Sequence, residues 1–475
     1  MGNIPPMKRS FFLLILLVVA SCKVGPAYHP PCVETPEEWK GEAVAGELPE
    51  CLEKWWVIFN DETLSQLEEE TILNNPDLET ALWRIEEARA VASREKALLF
   101  PEINIQPGFF NTGVLFKIFL PPGGGFPPTI AANDVFRIHQ QLFAMPLQLN
   151  YNLDLWGVQQ QKFESAFYTE QAKEESYRSL LLALTTSIAE AYFNLRSIDA
   201  AILLLEATID LRAKDLKLSE NRFRMGLVSG LDVENYKQLL AQSQIDLVDN
   251  ERLRSLQENQ IATLAGIPAS MYSLPRMPLM VSPPKIPASL PSTMLLRRPD
   301  LAEAERTMAA QHALVGSAYG ELLPSFALTG GLGYQSPVFR KFMEEASRYW
   351  TMGVQSDQTL FDGGKKFSDI DIAWARFFQT STNYKSIALR AFREVEDSLV
   401  EIEAEEKQVK NYEYLLTAAE QASNMSKRRY EAGLVNNFEY IVNERAVLQA
   451  KLRLQALIGL QYASTLKLIR SLGGL

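Results

Sequence analysis

Pro76-Asp77-Leu78 and Pro299-Asp300-Leu301 are the same three residues set 223 positions apart, and Pro101 and Pro324 repeat that offset. Farther along, Gly226-Leu227-Val228 recurs as Gly433-Leu434-Val435, and Gly266 as Gly473, both 207 positions apart. Offsets that stay constant over whole segments imply two copies of one unit, each about 190 residues long. The drop from 223 to 207 gives the first copy 16 extra residues. The loop-forming stretch 120–128 (LPPGGGFPP) is where they are expected.

Each copy carries the same succession of patterns. After Pro101, Ile103 and Ile105 begin an alternating run, and Leu147, Leu149, Tyr151, Leu153 and Leu155 alternate with Gln148, Asn150, Asn152 and Asp154. In the second copy Phe326, Leu328, Gly330, Leu332 and Tyr334 alternate after Pro324, followed by Trp350, Met352 and Val354. Period two predicts two strands per copy, apolar on one face and polar on the other. No segment after the N-terminus has about 18 uncharged apolar residues, so a membrane span would have to be a barrel. Four strands are too few to close one, since barrels need roughly eight or more, so spanning requires oligomerisation. The alternative is a soluble, half-buried sheet.

Behind each strand pair lies a long proline-free run, residues 157–224 and 364–432. As helix, each could reach on the order of 100 Å. Leu184, Ile188, Ala191, Leu195, Ile198, Ile202, Leu205 and Ile209 follow alternating steps of four and three, the seam of helices packed on helices. Val395, Leu399, Ile402, Val409, Leu416 and Ala419 keep it more loosely. Both runs are expected to turn at Gly226 or Gly433, with a second helix of about 40 residues returning. Between the copies seven prolines fall in 268–291, predicting a stiff, extended strap along the outside.

The chain starts with Lys8-Arg9, an apolar run and Val19-Ala20-Ser21-Cys22. The run is too short to span a bilayer and ends in small residues, as a cleaved signal does. Val19-Ala20-Ser21-Cys22 resembles the bacterial lipobox, which makes Cys22 the expected acylated first residue of the mature chain, with palmitate among its acyl groups. Several acyl chains would anchor firmly where one would not. Lys23 stands where Asp would retain a lipoprotein at the inner membrane, so the resemblance implies outer-membrane delivery. Cys32 and Cys51 are an even pair for which a disulfide is possible. The formal charge is −11, and removing residues 1–21, which hold Lys8 and Arg9 and no acids, leaves −13. No basic stripe is present, so nucleic acid is not an expected partner.

The quoted residues resemble a known family. Cys22-Lys23-Val24-Gly25-Pro26-Ala27-Tyr28 looks like the mature start of OprM/NodT-type outer-membrane efflux lipoproteins of the TolC superfamily. The stretch from Leu295-Leu296-Arg297-Arg298-Pro299-Asp300-Leu301 to Gly333-Tyr334 resembles its most distinctive segment. Leu153-Asp154-Leu155-Trp156-Gly157 and Leu360-Phe361-Asp362-Gly363-Gly364 match its strand-to-helix junctions, and Arg429 through Val435 its hairpin tip. The resemblance covers the mature chain in order. It implies a mixed fold, in which a transmembrane β-barrel, four strands per protomer and closed as a homotrimer, continues into a periplasmic α-helical coiled-coil barrel. The expected parts are a signal peptide (1–21), a lipid-anchored extension (22–60), a first repeat (61–267), a Pro-rich connector (268–294) and a second repeat (295–475). It also implies a passive exit duct for small molecules, fed by an inner-membrane pump of RND type through a periplasmic adaptor. Ducts for type I protein or polysaccharide secretion, and a structural coiled-coil lipoprotein without a channel, are the alternatives.

Two glycine-centred turns, Gly226-Leu227-Val228 and Gly433-Leu434-Val435, place paired apolar residues at helix ends, and exposed apolar pairs mark contact sites. In the family such turns meet the adaptor; glycines that merely permit the turn are the plainer reading. The resemblance also implies a gate at Asp232 and Tyr430, with Arg222 and Arg429 able to pair with Asp232 or Glu439. Glu439 is a candidate for an acidic ring, although Val442 replaces a second acid one turn on. Solvated helix faces are the alternative for all of these. Enzymatic chemistry finds no footing: His29, His139 and His312 lack metal-ligand spacing, and Gly123-Gly124-Gly125 lacks the Lys-Ser/Thr of a phosphate loop. No cofactor is expected. Glu394, Glu396 and Asp397 are expected to face solvent, and Tyr349 and Trp350 to form either an interfacial belt or core.

Overall fold

The computed structural model describes residues 23–31, 34–36, 38–40, 54–117, 135–279, 281–287, 297–435 and 437–474. Cys22, Cys32 and Cys51 lie outside them, and with them the expected acylation and disulfide. From the helix at Pro76 onward the elements come twice in the same order. In the first copy they are α1 (Glu62–Asn74), α2 (Pro76–Ala97), β1 (Glu102–Ile105), β2 (Gly108–Lys117), β3 (Val135–Leu153), α3 (Val158–Arg224) and α4 (Gly230–Leu264). In the second they are α5 (Pro299–Gly320), β4 (Ser325–Ser336), β5 (Arg348–Asp357), α6 (Lys365–Glu431) and α7 (Asn437–Ser471). Both long helices have 67 residues and both returning helices 35, somewhat shorter than the 40 expected. The chain forms two compact units, each drawing on both copies.

One unit comprises Met1–His29, Ala88–Glu170 and Met308–Gln379 and holds the sheet. Its order is β1-β3-β4-β5, with β2 also on β3, all antiparallel. β1 and β2 keep one register on β3 and are a single strand interrupted at Gln106 and Pro107, so four strand tracks result, as expected. Between Gly113 and Gln141 lie 28 positions, against 12 between their equivalents Ser336 and Arg348. The 16 extra residues therefore fall between Gly113 and Gln141, partly as longer β2 and β3 strands, and the stretch 120–128 where they were expected lies outside the described residues. The segment after Cys22 is fastened here too. Val24 N–H donates to the Trp156 carbonyl (3.2 Å), Gln161 donates to the Val24 carbonyl (2.9 Å), and Lys23 pairs with Glu164.

The other unit comprises Pro30–Glu87, Gln171–Thr307 and Thr380–Leu475 and is helical. Its core gathers Trp55, Leu64, Ile188, Tyr192, Leu195, Ile261, Leu301, Val395, Leu399 and Ile469. The heptad seam read from sequence lies in this interior: Leu184, Ile188, Ala191, Leu195, Ile202 and Leu205 are buried, Ile198 and Ile209 half-buried. The motifs that revealed the repeat turn out to touch one another. Asn75, just before Pro76, donates to the Leu264 carbonyl closing α4 (2.7 Å), and its equivalent Arg298 donates to the Ser471 carbonyl closing α7 (2.8 Å). Gly266 and Gly473 follow those helix ends at φ of 72° and 88°, where side chains are disfavoured. A Cβ on Gly266 would meet the Asn74 carbonyl, and one on Gly473 the Arg297 backbone, 3.0 Å away. Each Pro motif is thus docked onto its own copy's last turn.

Two expectations are corrected. The connector does not merely lie along the outside: Ile286 is buried, and residues 274–277 are held by buried charges described below. Glu394 and Glu396 are not free solvent carboxylates, because Glu394 accepts from Arg298 (2.8 Å) and Glu396 from the Lys40 N–H (2.9 Å).

Candidate functional site: the hairpin tips and the two-faced sheet

The two tips are built alike. At the end of α3 the Gly226 N–H reaches the Phe223 carbonyl (2.9 Å) and the Leu227 N–H the Arg222 carbonyl (2.9 Å). At the end of α6 the Gly433 N–H reaches Tyr430 (2.9 Å) and the Leu434 N–H reaches Arg429 (2.8 Å). These pairs are the Schellman closure, which satisfies the last carbonyls when one residue turns left-handed. Gly226 and Gly433 supply that residue at φ of 72° and 71°, with open space where a Cβ would be. Glycine is needed there for backbone conformation rather than for room. Leu227 and Leu434 are 69% and 73% exposed, whereas Val228 and Val435 are half-buried. The docking residues expected from sequence are together, and the leucines carry the accessible surface.

Beyond the turns the copies differ. Ser229 and Asp232 form a capping box on α4: the Asp232 carboxylate accepts from the Ser229 N–H and hydroxyl, each 3.0 Å away. The equivalent acid, Glu439, accepts from Arg429 across its own hairpin (2.7 Å). The expected alternatives therefore divide. Arg429 pairs with Glu439, but Arg222 does not pair with Asp232; it donates to the Tyr430 hydroxyl (3.2 Å) and lies over that ring. Tyr430 in turn stacks on Tyr440, with ring centroids 6.3 Å apart and planes 5° from parallel. Arg222–Tyr430 is a bond between the two hairpins. Glu439 carries its countercharge beside it, which weakens the expectation of an acidic ring.

A buried polar cluster missed in the sequence lies just behind these residues. The seam continues past Ile209 at 212, 216 and 219, where Arg212 and Ser219 replace apolar residues; that was the available signal. Arg212 donates to the Leu239 carbonyl (2.8 Å) and pairs with the Ser243 hydroxyl. A cavity of about 60 Å³ is lined by Asp215, Ser219, Tyr236, Lys427, Tyr430 and Tyr440, among others. Burial pushes the carboxyls of Asp215 and Glu444 above their usual range, partly offset by Lys427 on both and by Arg212 on Glu444. Burial likewise lowers the Arg212 guanidinium and raises the Tyr440 phenol.

The connector is held by a second buried network. Asp199 accepts from Arg254 (2.7 Å), Arg196 (3.3 Å) and the Met277 N–H (3.0 Å). The two arginines donate to the carbonyls of Pro275 (2.6 Å) and Leu274 (2.7 Å).

The sheet separates two chemistries. Its registers are unbroken, so one face can be followed across strands. Leu147, Leu332 and Trp350 stand side by side, as do Leu149, Gly330 and Met352, then Tyr151, Leu328 and Val354. The opposite face carries Gln148, Gly331 and Thr351, then Asn150, Thr329 and Gly353. Trp350 is 76% exposed on the apolar face, which excludes a core role for it within the chain. Among the described residues no helix is long and apolar enough to cross a membrane, and no group of His, Cys, Asp and Glu could hold a metal ion.

The profile of the outer membrane efflux protein family matches residues 67–267 and 290–474. Similar proteins include the probable efflux pump outer membrane protein TtgC of Pseudomonas putida, 26% identical over 96% of this chain and 93% of the relative. The cation efflux system protein CusC of Escherichia coli is 25% identical over 97% of both chains. The solved outer-membrane channel OprN shares the fold with a TM-score of 0.86 at 24% identity, covering 95% of this chain and 99% of that one. CusC as solved gives 0.83 at 24% identity, covering 95% and 100%. With both repeats matched almost end to end and the helix-and-sheet architecture shared, this chain belongs to the outer membrane efflux protein family.

Proposed function

We propose that this protein is the outer-membrane exit duct of a tripartite efflux pump, working as a homotrimer. The two-faced sheet carries the reading. Its apolar side suits lipid, its polar side suits a water-filled lumen, and neither edge has a partner among the described residues. Three sheets of four tracks each would give a twelve-stranded barrel without edges. The apolar side runs from Leu153 to Phe143, ten steps, about 34 Å along the strand and about 25 Å at the usual tilt. That is the height of a barrel's lipid band.

In this reading 1–21 is the signal and 22–60 the extension anchored through Cys22 to outer-membrane lipid. The repeats, 61–267 and 295–475, are joined by the connector 268–294. Lys23 and Val24 are bound beside Trp156, close to the end of β3, a fitting place for acyl chains to enter the membrane. The tips, through Gly226, Leu227, Val228, Gly433, Leu434 and Val435, dock a periplasmic adaptor linked to an inner-membrane pump of RND type. Arg222 and Tyr430, bonded between the two hairpins, hold the entrance closed, with the Arg429–Glu439 pair and the Asp232 helix cap fixing the tips on either side. Each bond contributes about 1 kcal/mol net, so a set repeated three times holds yet can be broken. The cargo is small molecules, selected by the pump. Deleting the gene and complementing it tests this reading: sensitivity to dyes, detergents, antibiotics or metal salts should rise and be restored. Unchanged sensitivity across all four, with secretion of a protein or polysaccharide lost instead, would reassign the duct.

A further inference from the structure

The β2–β3 hairpin extends beyond β4, and there its chemistry inverts. β4 begins to pair with β3 at Phe143, so Val135–Leu142 pairs with β2 alone. Up to Phe143 the side that includes Leu153, Tyr151, Leu149 and Leu147 is apolar; the other is polar from Asn152 to Gln148 and then carries Pro146 and Ala144. Past it the first side continues through Gln141 and His139, facing Asn111 and Gly113, with Leu115 its one described apolar residue. The second side, which holds Gln148, Asn150 and Asn152 below, becomes Leu142 beside Phe110, Gln140 beside Thr112, and Ile138 beside Val114. The partner sums never slip, so no bulge has turned the strands over. The inversion is therefore in the residues, not in the backbone. Phe110, Val114 and Ile138 are 57%, 50% and 52% exposed, an apolar stripe that nothing else in the chain's described residues covers.

We propose that this stripe is a contact between copies of the chain: three hairpins lean toward the barrel axis and join Phe110, Val114, Ile138 and Leu142 into an apolar cap over the extracellular exit. The inference rests on the trimeric barrel proposed above, because only there does the stripe's side face the lumen. A lipid-facing role is inconsistent with the side it occupies, since lipid lies against the opposite one below. The second copy lacks the 16 extra residues, so each protomer contributes one such hairpin, and threefold symmetry brings three identical stripes around one axis. The stripe has no charged residue among those described, its one polar pair being Gln140 and Thr112, which lets it close without stranding a charge. An apolar constriction of this kind restricts ions by dewetting, separately from the polar links at the periplasmic tip.

The test is site-specific crosslinking in the full chain in lipid, with Cys32→Ser and Cys51→Ser to leave no competing thiol. Oxidation of Ile138→Cys, and independently of Val114→Cys, is expected to give covalent dimers between protomers, while Gln141→Cys on the other side stays monomeric on denaturing gels. Trimer formation is measured separately by native mass spectrometry. A trimer in which neither Ile138→Cys nor Val114→Cys crosslinks overturns the cap and leaves the duct standing; absence of a trimer overturns both. As a second readout, Val114→Ser with Ile138→Ser in a Tyr430→Ala background is expected to raise single-channel conductance roughly two-fold, as removing an apolar constriction in series should. Unchanged conductance there counts against the cap even if thiols crosslink.

Discussion

The two helical hairpins, α3 with α4 and α6 with α7, match residue for residue in length, yet they are fastened differently. Asp199 in α3 is fully buried and accepts three bonds that fix both a neighbouring helix and the connector. Its equivalent 207 residues on is Glu406, which pairs with Lys285 of the same connector at 2.7 Å, with the lysine side chain 65% exposed. The tips repeat the contrast: an internal capping box on α4, an exposed Arg429–Glu439 pair beside α7. Equal lengths let both hairpins end level. In the gated duct proposed above, this unequal fastening makes the first hairpin the fixed post and the second the element that moves at lower cost.

The sharpest break of that comparison is Asp199→Ala against Glu406→Ala. Removing Asp199 leaves two buried guanidinium groups without their shared carboxylate, and breaking a buried pair costs about 3–5 kcal/mol. An exposed pair is worth about 0–1 kcal/mol. Urea unfolding of the two variants should therefore differ several-fold in lost stability, and equal losses would dissolve the distinction between post and mover.

A pH series on Glu444→Gln comes next. Burial raises the Glu444 carboxyl above its unfolded value, so its ionisation penalises the folded state. The stability associated with the bound proton is complete below the unfolded value and is lost as pH rises through the folded one. The variant should match wild type in acid and be more stable at neutral pH, with the gap opening as pH rises. A gap that opens toward acid would reverse the sign assigned to this group. Smaller still is Ser229→Ala, expected to cost about 1 kcal/mol through the lost helix cap, whereas Arg429→Ala should stay within about 1 kcal/mol. Amide exchange at the two tips would resolve the pair.

Much of this was legible in advance because it rests on local rules. The repeat, the proline-free helices, the glycine turns and the alternation over 147–153 are all properties of neighbouring residues. The upper half of β3 was harder to read, since Pro146 looks like a strand breaker and the alternation inverts near Phe143. Pro146 is tolerated because Gly333 faces it, with no Cβ to meet the Met145 carbonyl, and that pairing spans the two copies. The buried charges escaped for a related reason. Arg196, Asp199, Arg254 and Glu258 have the appearance of a solvated helix face until α3, α4 and the connector are brought together. Asp232 looked like a gate residue by position, yet its carboxylate is engaged within its own helix cap.

Single-channel recording of the purified protein in planar lipid bilayers tests the central claim most directly. The duct account predicts discrete conductance steps from a trimer, low in wild type and higher in Tyr430→Ala, where the bond from Arg222 between the hairpins is gone. A monomer that gives no steps, in wild type and in Tyr430→Ala alike, would contradict it.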